Sequence, residues 1–242
     1  MVTAVVIPTY NEKENIVNLI NDIFLLNIDN LKIIVVDDNS PDQTASFVTQ
    51  LQTKFPNLYL IKRYNKLGLG SAYIAGFKKA LSLQADLIME MDADFSHNPK
   101  DLPRLIAACE HGADLAIGSR KIPDGKIIGW NWRRHLMSAG AMLVARLLLN
   151  LKTRDITAGF RCFRRSALEK IDLNTIKSNG YAFQEELLYR AEKLGFTIAE
   201  IPVTFKDREK GQSKLGGKEI KEFFAIIFKL KFQKYGHEKI SA

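Results

Sequence analysis

The stretch Ala85-Asp86-Leu87-Ile88-Met89-Glu90-Met91-Asp92-Ala93-Asp94 decides how this chain folds. Its apolar run has the length and composition of a strand buried on both faces of a parallel sheet. The two carboxylates that follow then lie at the carboxyl end of that strand, where open α/β sheets bind ligands. Acids at i and i+2 can reach one hard cation if the chain turns between them. A divalent ion held by one or two carboxylates is the usual companion of a bound diphosphate. Asp92 and Asp94 therefore point to a metal-dependent nucleotide or nucleotide-sugar site. The plainer alternative, a pair of solvated loop acids, is open to any Asp-X-Asp taken alone.

Around this stretch, short β-rich runs alternate with helical patterns. Strands are expected at residues 2–7, 31–36, 58–62, 86–91 and 113–118. Helices are expected at 12–25, with Ile16, Leu19, Ile20 and Ile23 at helical spacing, at 42–53 with Asp42 as N-cap, at 68–83 and at 99–110. That rhythm predicts an α/β fold: a mostly parallel central sheet flanked by helices on both faces. The second half reads as a loop at 122–132, a long helix at 133–149, an extended segment at 157–164, a helix at 183–193 and a strand at 197–203. A polar loop at 204–217 and a last helix at 218–235 follow. No repeat or low-complexity linker divides the chain.

The chain has 242 residues and is 46% apolar, enough for one large α/β domain with a full core. Its net charge of +8 favours an anionic partner: nucleic acid, a phospholipid surface or a phosphorylated substrate. Cys109 and Cys162 have neither zinc nor disulfide-framework spacing, which fits a reducing, cytoplasmic compartment. The four histidines form no ligand pattern. The N-terminus enters an apolar run without the basic segment of a signal peptide. No run approaches the roughly 20 apolar residues that cross a bilayer.

Four strand ends carry polar residues: Pro8-Thr9-Tyr10-Asn11-Glu12, Asp37-Asp38-Asn39-Ser40-Pro41-Asp42, Asp92-Ala93-Asp94 and Gly118-Ser119-Arg120. In a parallel sheet these ends share one edge and converge on one crevice. Tyr10 can stack on a base, and Asp37 or Asp38 can accept from a base N–H or a ribose hydroxyl. Each piece alone also reads as turn or helix-start chemistry. Gly68-Leu69-Gly70 lacks the spacing of a dinucleotide or P-loop motif and reads as a helix entry near the nucleoside. Gln184-Glu185-Glu186 opens a helix, where acids suit the dipole.

These four segments together, including Val5-Val6-Ile7-Pro8-Thr9-Tyr10-Asn11-Glu12, resemble the family-2 glycosyltransferases of the GT-A fold. The second half is similar to the dolichyl-phosphate (polyprenyl-phosphate) mannose synthases. The matching residues are Gly129-Trp130, Arg133-Arg134, Ser138, Asp155-Ile156-Thr157-Ala158-Gly159-Phe160-Arg161, Gly180-Tyr181-Ala182-Phe183-Gln184-Glu185 and Arg208-Glu209-Lys210-Gly211-Gln212-Ser213-Lys214-Leu215.

The resemblance implies that Pro8, Tyr10, Glu12, Asp37 and Asp38 hold the nucleoside of GDP-mannose. It implies that Asp92 and Asp94 bracket Mg²⁺ or Mn²⁺ and the diphosphate, with Ser96 where many relatives place a glutamine ligand. Arg120, Arg134 and Ser138 match positions that grip a dolichyl or polyprenyl phosphate, and Arg208 and Lys214 match a loop that closes over the nucleotide. Asp94, Arg120 and Arg134 are the implied catalytic residues, while Gln184 and Glu185 shape the pocket.

A glycosyltransferase domain at 1–217 and an amphipathic tail at 218–242 are expected. The tail, with Phe223-Phe224-Ala225-Ile226-Ile227-Phe228 beside lysines, and the helix at 136–151 are candidates for contact with the cytoplasmic face of a membrane. A separate membrane-anchoring subunit is a further possible partner. UDP-glucose or another donor is the alternative within the class. A basic nucleotide- or RNA-binding module is the non-catalytic alternative, disfavoured because an acidic crevice without metal repels phosphate and basic residues are not interleaved with aromatics along one stripe.

Overall fold

The computed structural model describes residues 1–176, 178, 180, 182–207 and 217–232. In chain order the elements are β1 (Thr3–Thr9), α1 (Lys13–Phe24), β2 (Leu31–Asp37), α2 (Thr44–Leu51), β3 (Leu58–Lys62), α3 (Leu69–Ser82), β4 (Leu87–Glu90), α4 (Leu102–Glu110), β5 (Leu115–Ser119) and β6 (Lys126–Ile128). Then come α5 (Trp132–Leu149), β7 (Arg161–Arg164), α6 (Arg165–Lys170), α7 (Ala182–Lys193), β8 (Ile198–Pro202), β9 (Thr204–Lys206) and α8 (Gly217–Phe232). Among the described residues, seven strands form one sheet in the order β3-β2-β1-β4-β7-β5-β8, parallel except for β7. The α/β reading of the sequence holds.

The strands alternate their apolar residues between two cores. Val5, Ile7, Ile33 and Val35 face the layer of α1, α2 and α4. Ala4, Val6, Ile34 and Val36 face α3, α5, α7 and α8. In α1, Ile16, Leu19, Ile20 and Ile23 are fully buried, each contributing about 1.5–3 kcal/mol by leaving water. On the other side α3 lies close on β1 at Gly76, where an added Cβ would sit 2.2 Å from Cγ1 of Val6. Ile226, Ile227 and Leu230 of α8 are buried in that same core, with α8 packed on α5 and α7. Both cysteines are free and buried.

Several local expectations are corrected. Asp42 is not the N-cap of α2. That position is taken by Gln43 in left-handed backbone, and the Asp42 carboxylate instead accepts from N–H and Oγ1 of Thr44 and from N–H of Lys13. It thereby ties α1 to α2. The loops at 122–132 and 204–217 contain β6 and β9, which pair in parallel as a separate small sheet. The segment at 157–164 contributes β7, which enters antiparallel between β4 and β5. The ends of β4 and β5 therefore stand two strand spacings apart, about 10 Å, and residues 155–160 fill the gap between them.

Candidate active site

The carboxyl ends of β1, β2, β4 and β5 lie along one edge of the sheet, as the topology requires. At the β1–β2 end, Asp37 and Asp38 turn in different directions, and both are buried. Asp37 accepts from Oγ1 of Thr9 (2.9 Å), N–H of Ser40 (3.0 Å) and Oγ of Ser40 (2.6 Å), locking the two strand ends together. Asp38 accepts from the N–H groups of Leu67 (3.1 Å) and Gly68 (2.8 Å) and pairs with Nε of Arg63 at 3.0 Å. Gly68 has φ +95°, a conformation that glycine reaches without strain. Lys66 lies with Nζ 3.5 Å from the ring centroid of Tyr10, so Tyr10, Lys66 and Asp38 share one corner. Pro8 is in β1 opposite Val36. Glu12 precedes α1, donates its N–H to Thr44 and accepts from the Asn15 side chain.

At the end of β4, the Asp92 carboxylate accepts from the hydroxyl of Tyr73 at 3.1 Å, and its N–H donates to Nδ1 of His97 at 3.2 Å. Burial, reinforced by Asp92, holds the Tyr73 hydroxyl far above its ordinary pKa, so it remains a donor. Burial also lowers the pKa of His97, with Asp92 pulling the other way. A neutral ring accepting at Nδ1 carries its proton on Nε2. Asp94 accepts from the N–H of Ser96 at 3.0 Å across Phe95, which has φ +60°. This tight turn lets Asp92 and Asp94 serve one site. Oγ of Ser96 is buried and makes no hydrogen bond among the described residues.

Two carboxylates and that hydroxyl fit a hard cation that draws its other ligands from a diphosphate and water. Among the described residues no group of three His, Cys, Asp or Glu side chains forms a metal cage.

At the end of β5, Nε and Nη2 of Arg120 fork onto Asp155 at 2.7 and 2.6 Å, and its backbone N–H reaches the same carboxylate at 2.8 Å. Nη2 also donates to Oγ1 of Thr157. Burial works to raise the pKa of Asp155, yet Arg120 outweighs it and the carboxyl titrates below its ordinary value. Arg134, in the first turn of α5, pairs with Asp207 at 2.5 Å and lies 4.1 Å from the ring of Trp130. Ser138 is one helical turn further on the same face. Phe205 of β9 joins these groups. Its ring is 5.3 Å from the guanidinium of Arg120, 6.1 Å from the ring of His97 and 6.3 Å from that of Trp130. Phe205 thus links the aspartate turn, through His97, to Arg120 and, through Trp130, to Arg134. Arg208 and Lys214 lie outside the described residues.

Beneath the site, Glu90, Arg161, Gln184 and Glu185 are buried together. Glu185, in the first turn of α7, points into this interior rather than to solvent. Burial pushes the Glu90 and Glu185 carboxyls to about 8, against the pull of Arg161. One guanidinium balances one carboxylate, so the cluster retains a proton near neutral pH. Gly159 borders the site: a Cβ there would lie 3.6 Å from Nε2 of Gln184, 3.8 Å from Cε1 of His97 and 3.9 Å from Oδ2 of Asp92.

The sequence reading missed the parts played by Tyr73, His97, Asp155 and Phe205. His97 follows the aspartate pair, but one histidine outside a ligand pattern carries no signal. Phe205, apolar in an otherwise polar segment, was the trace of β9.

A model of glycosyl transferase family 2 matches residues 4–172. The chain is 45% identical over 221 residues to a polyprenol monophosphomannose synthase of Mycolicibacterium smegmatis, covering 91% of this chain and 83% of that protein. It is 42% identical over 215 residues to an undecaprenyl-phosphate mannosyltransferase of Micrococcus luteus, covering 88% and 86%. Among solved structures, glucosyl-3-phosphoglycerate synthase of Mycobacterium tuberculosis, in complex with Mn²⁺, UDP-glucose and phosphoglyceric acid, superposes with a TM-score of 0.69 at 20% identity, covering 95% of this chain and 79% of that one.

Proposed function

This chain belongs to glycosyl transferase family 2, and we propose that it transfers mannose from GDP-mannose to a polyprenyl phosphate with inversion at the anomeric carbon. It is a glycosyltransferase with the GT-A fold. The observation that carries the reading is the proximity of the Asp92–Asp94 turn to the cations Arg120 and Arg134, linked across His97, Phe205 and Trp130. One side suits a nucleoside diphosphate and the other an anionic acceptor. The two bacterial relatives, named for mannosyl transfer to polyprenol carriers, support the choice of sugar and acceptor.

A phosphate monoester has a second pKa of about 6 and is largely dianionic near neutral pH. Its oxygen is a nucleophile already, and no side chain has to remove a proton from it. The protein's work is positioning and charge compensation. Arg120, Arg134 and Ser138 hold the acceptor phosphate against the repulsion of the donor diphosphate. Tyr10 and Asp38 border the nucleoside. Asp92, Asp94 and the hydroxyl of Ser96 would hold Mg²⁺ or Mn²⁺. That ion, when bound, offsets the negative charge of the departing GDP. The mannose sits between the two anionic groups, near Gly159 and Gln184, so the acceptor oxygen approaches the face opposite the leaving group.

The acceptor's hydrocarbon places the reaction at a bilayer surface. Among the described residues no helix is long and apolar enough to cross a membrane. Trp132, Leu136, Leu143 and Leu147 instead expose an apolar stripe along α5. With Phe228 and Phe232 exposed between lysines on α8, they support peripheral attachment to the cytoplasmic face.

The test is a panel of GDP- and UDP-sugars with undecaprenyl or dolichyl phosphate, with and without Mg²⁺ or Mn²⁺. GDP-mannose should be used best, only with metal, and give a β-linked product. Preference for UDP-glucose would overturn the donor assignment. Transfer to a free sugar rather than a lipid phosphate would overturn the acceptor.

A further inference from the structure

We infer that Asp155 is a positioning residue of the transfer reaction, orienting Arg120 toward the acceptor phosphate from a loop that Glu192 and Glu200 hold in place. This rests on the reading of Arg120 as an acceptor contact and adds the groups that set its geometry.

Asp155 is fully buried, where a carboxylate persists only if paired and hydrogen-bonded. It accepts three hydrogen bonds from Arg120, two from the guanidinium edge and one from the main chain. A side-on fork fixes both the distance and the plane of a guanidinium, which one oxygen cannot do. Because Oδ2 also takes the Arg120 N–H, the fork is referenced to the end of β5. Thr157 adds an acceptor on Nη2, and the ring of Phe205 lies beside the guanidinium. The result is an arginine ordered before any ligand arrives, so little side-chain freedom is lost on binding.

The loop that presents Asp155 has no regular hydrogen-bonding pattern of its own. Two carboxylates supply it. Glu192 of α7 accepts from the N–H of Lys152 at 2.8 Å and from N–H and Oγ1 of Thr153 at 2.9 and 2.7 Å. Glu200 of β8 accepts from the N–H groups of Arg154 and Asp155 at 2.9 and 3.1 Å. Lys152, Thr153, Glu192 and Glu200 line an open cleft of about 300 Å³ beside the loop. Leu151, Ile156 and Ala158 anchor the loop in the core, and the carboxylate contacts fix the backbone of the residues between them. Glu200 lies in register with Ile117 of β5, so one strand pair carries both the clamp and Arg120.

A buried ion pair kept only for stability is the competing explanation, and such pairs add little net stability over apolar replacements. Steady-state kinetics on Asp155→Asn, Glu200→Gln, Thr157→Val, Arg120→Gln and the double variant Asp155→Asn/Arg120→Gln separate the two, alongside GDP affinity by calorimetry and thermal unfolding. Asp155→Asn should raise the KM for polyprenyl phosphate about 10- to 100-fold, with the KM for GDP-mannose and the affinity for GDP within about 2-fold. Glu200→Gln and Thr157→Val, which leave the buried charge pair in place, should move the same constant in the same direction by less. The double variant should be no worse than Arg120→Gln alone. Equal losses of donor and acceptor use in Asp155→Asn, or additive losses in the double variant, overturn the positioning role. Should Asp155→Asn fail to fold, unchanged acceptor KM in both Glu200→Gln and Thr157→Val does the same. An Arg120→Gln variant with normal acceptor KM overturns the acceptor reading itself. That outcome differs from a defective Arg120→Gln beside a normal Asp155→Asn, which removes the positioning role alone.

Discussion

Glu90 stands directly opposite Arg161 across the β4–β7 pair, and neither side chain reaches solvent. Arg161 also donates to the carbonyls of Gln184 at 3.0 Å and Ile156 at 3.2 Å. One buried guanidinium thus ties the strand bearing the aspartate turn to the segment beneath the arginines and to the start of α7. It is the internal support for both halves of the site.

The proton held in this cluster gives stability a pH dependence. The Glu185 carboxyl sits at about 8 in the folded chain and near 4.3 in an unfolded one. Between those values the folded state keeps a proton that the unfolded state has released. Stability is full below the unfolded pKa and is lost as pH rises toward 8, by up to about 1.4 kcal/mol per pH unit for this group. Asp155, with its lowered pKa, acts in the opposite sense and below this window. Urea unfolding between pH 5 and 8 should show the decline, and Glu185→Gln should flatten it. A slope unchanged by that substitution would exclude Glu185 as its source.

Asp94→Ala should lower transfer by about 100-fold or more, since charge compensation at a leaving group is worth several kcal/mol. Its thermal midpoint should stay close to the parent's, because Asp94 is only half-buried. Mn²⁺ binding in the presence of GDP, followed by electron paramagnetic resonance, should weaken in parallel. Retained Mn²⁺ affinity would place the ion elsewhere.

Arg134→Ala should raise the KM for the lipid phosphate about 10-fold or more while the GDP dissociation constant stays near the parent value, as expected for loss of a charge-assisted contact. Asp207 would lose its 2.5 Å partner at the same time, so Asp207→Asn is the control. A matching defect in both variants would assign the effect to the ion pair.

Gly76→Ala should destabilise the protein by about 1–3 kcal/mol, through overpacking against Val6. Chemical denaturation would measure this. The active-site residues are not touched, so transfer by the folded fraction should persist.

Vesicle binding should depend on the exposed stripe of α5. Leu136 and Leu147 are 66% and 73% exposed, and changing both to Ser should reduce co-sedimentation with anionic vesicles several-fold. Deleting the last helix is not an equivalent test, because Ile226, Ile227 and Leu230 belong to the core. Unchanged partitioning of the double variant would remove α5 as the contact.

Much of the candidate site was legible in the sequence because Asp92, Asp94, Arg120 and the Pro8–Glu12 segment sit at or just beyond the ends of strands whose apolar runs are local signals. The contacts behind them were not legible. Asp155 meets Arg120 across 35 positions, and Asp38 meets Gly68 across 30. Neither separation has a period that a helix or strand would impose. Phe205 lay in a segment that reads as polar loop, because a three-residue strand has too little alternation to stand out.

The alternation of apolar runs and helical patterns by itself determined an α/β chain with a mainly parallel sheet and one ligand edge. Side-chain periodicity and the handedness of crossovers allow little else. Only the tertiary structure decided that β7 enters antiparallel between β4 and β5, since strand neighbours are chosen by long-range pairing and burial. That insertion separates the end of β4, with its aspartate turn, from the end of β5, with Arg120, by two strand spacings, about 10 Å. It also delivers Asp155, Gly159 and Arg161 into the gap. Were β5 adjacent to β4, Arg120 would stand only about 5 Å, one strand spacing, from the strand that ends in the aspartate turn.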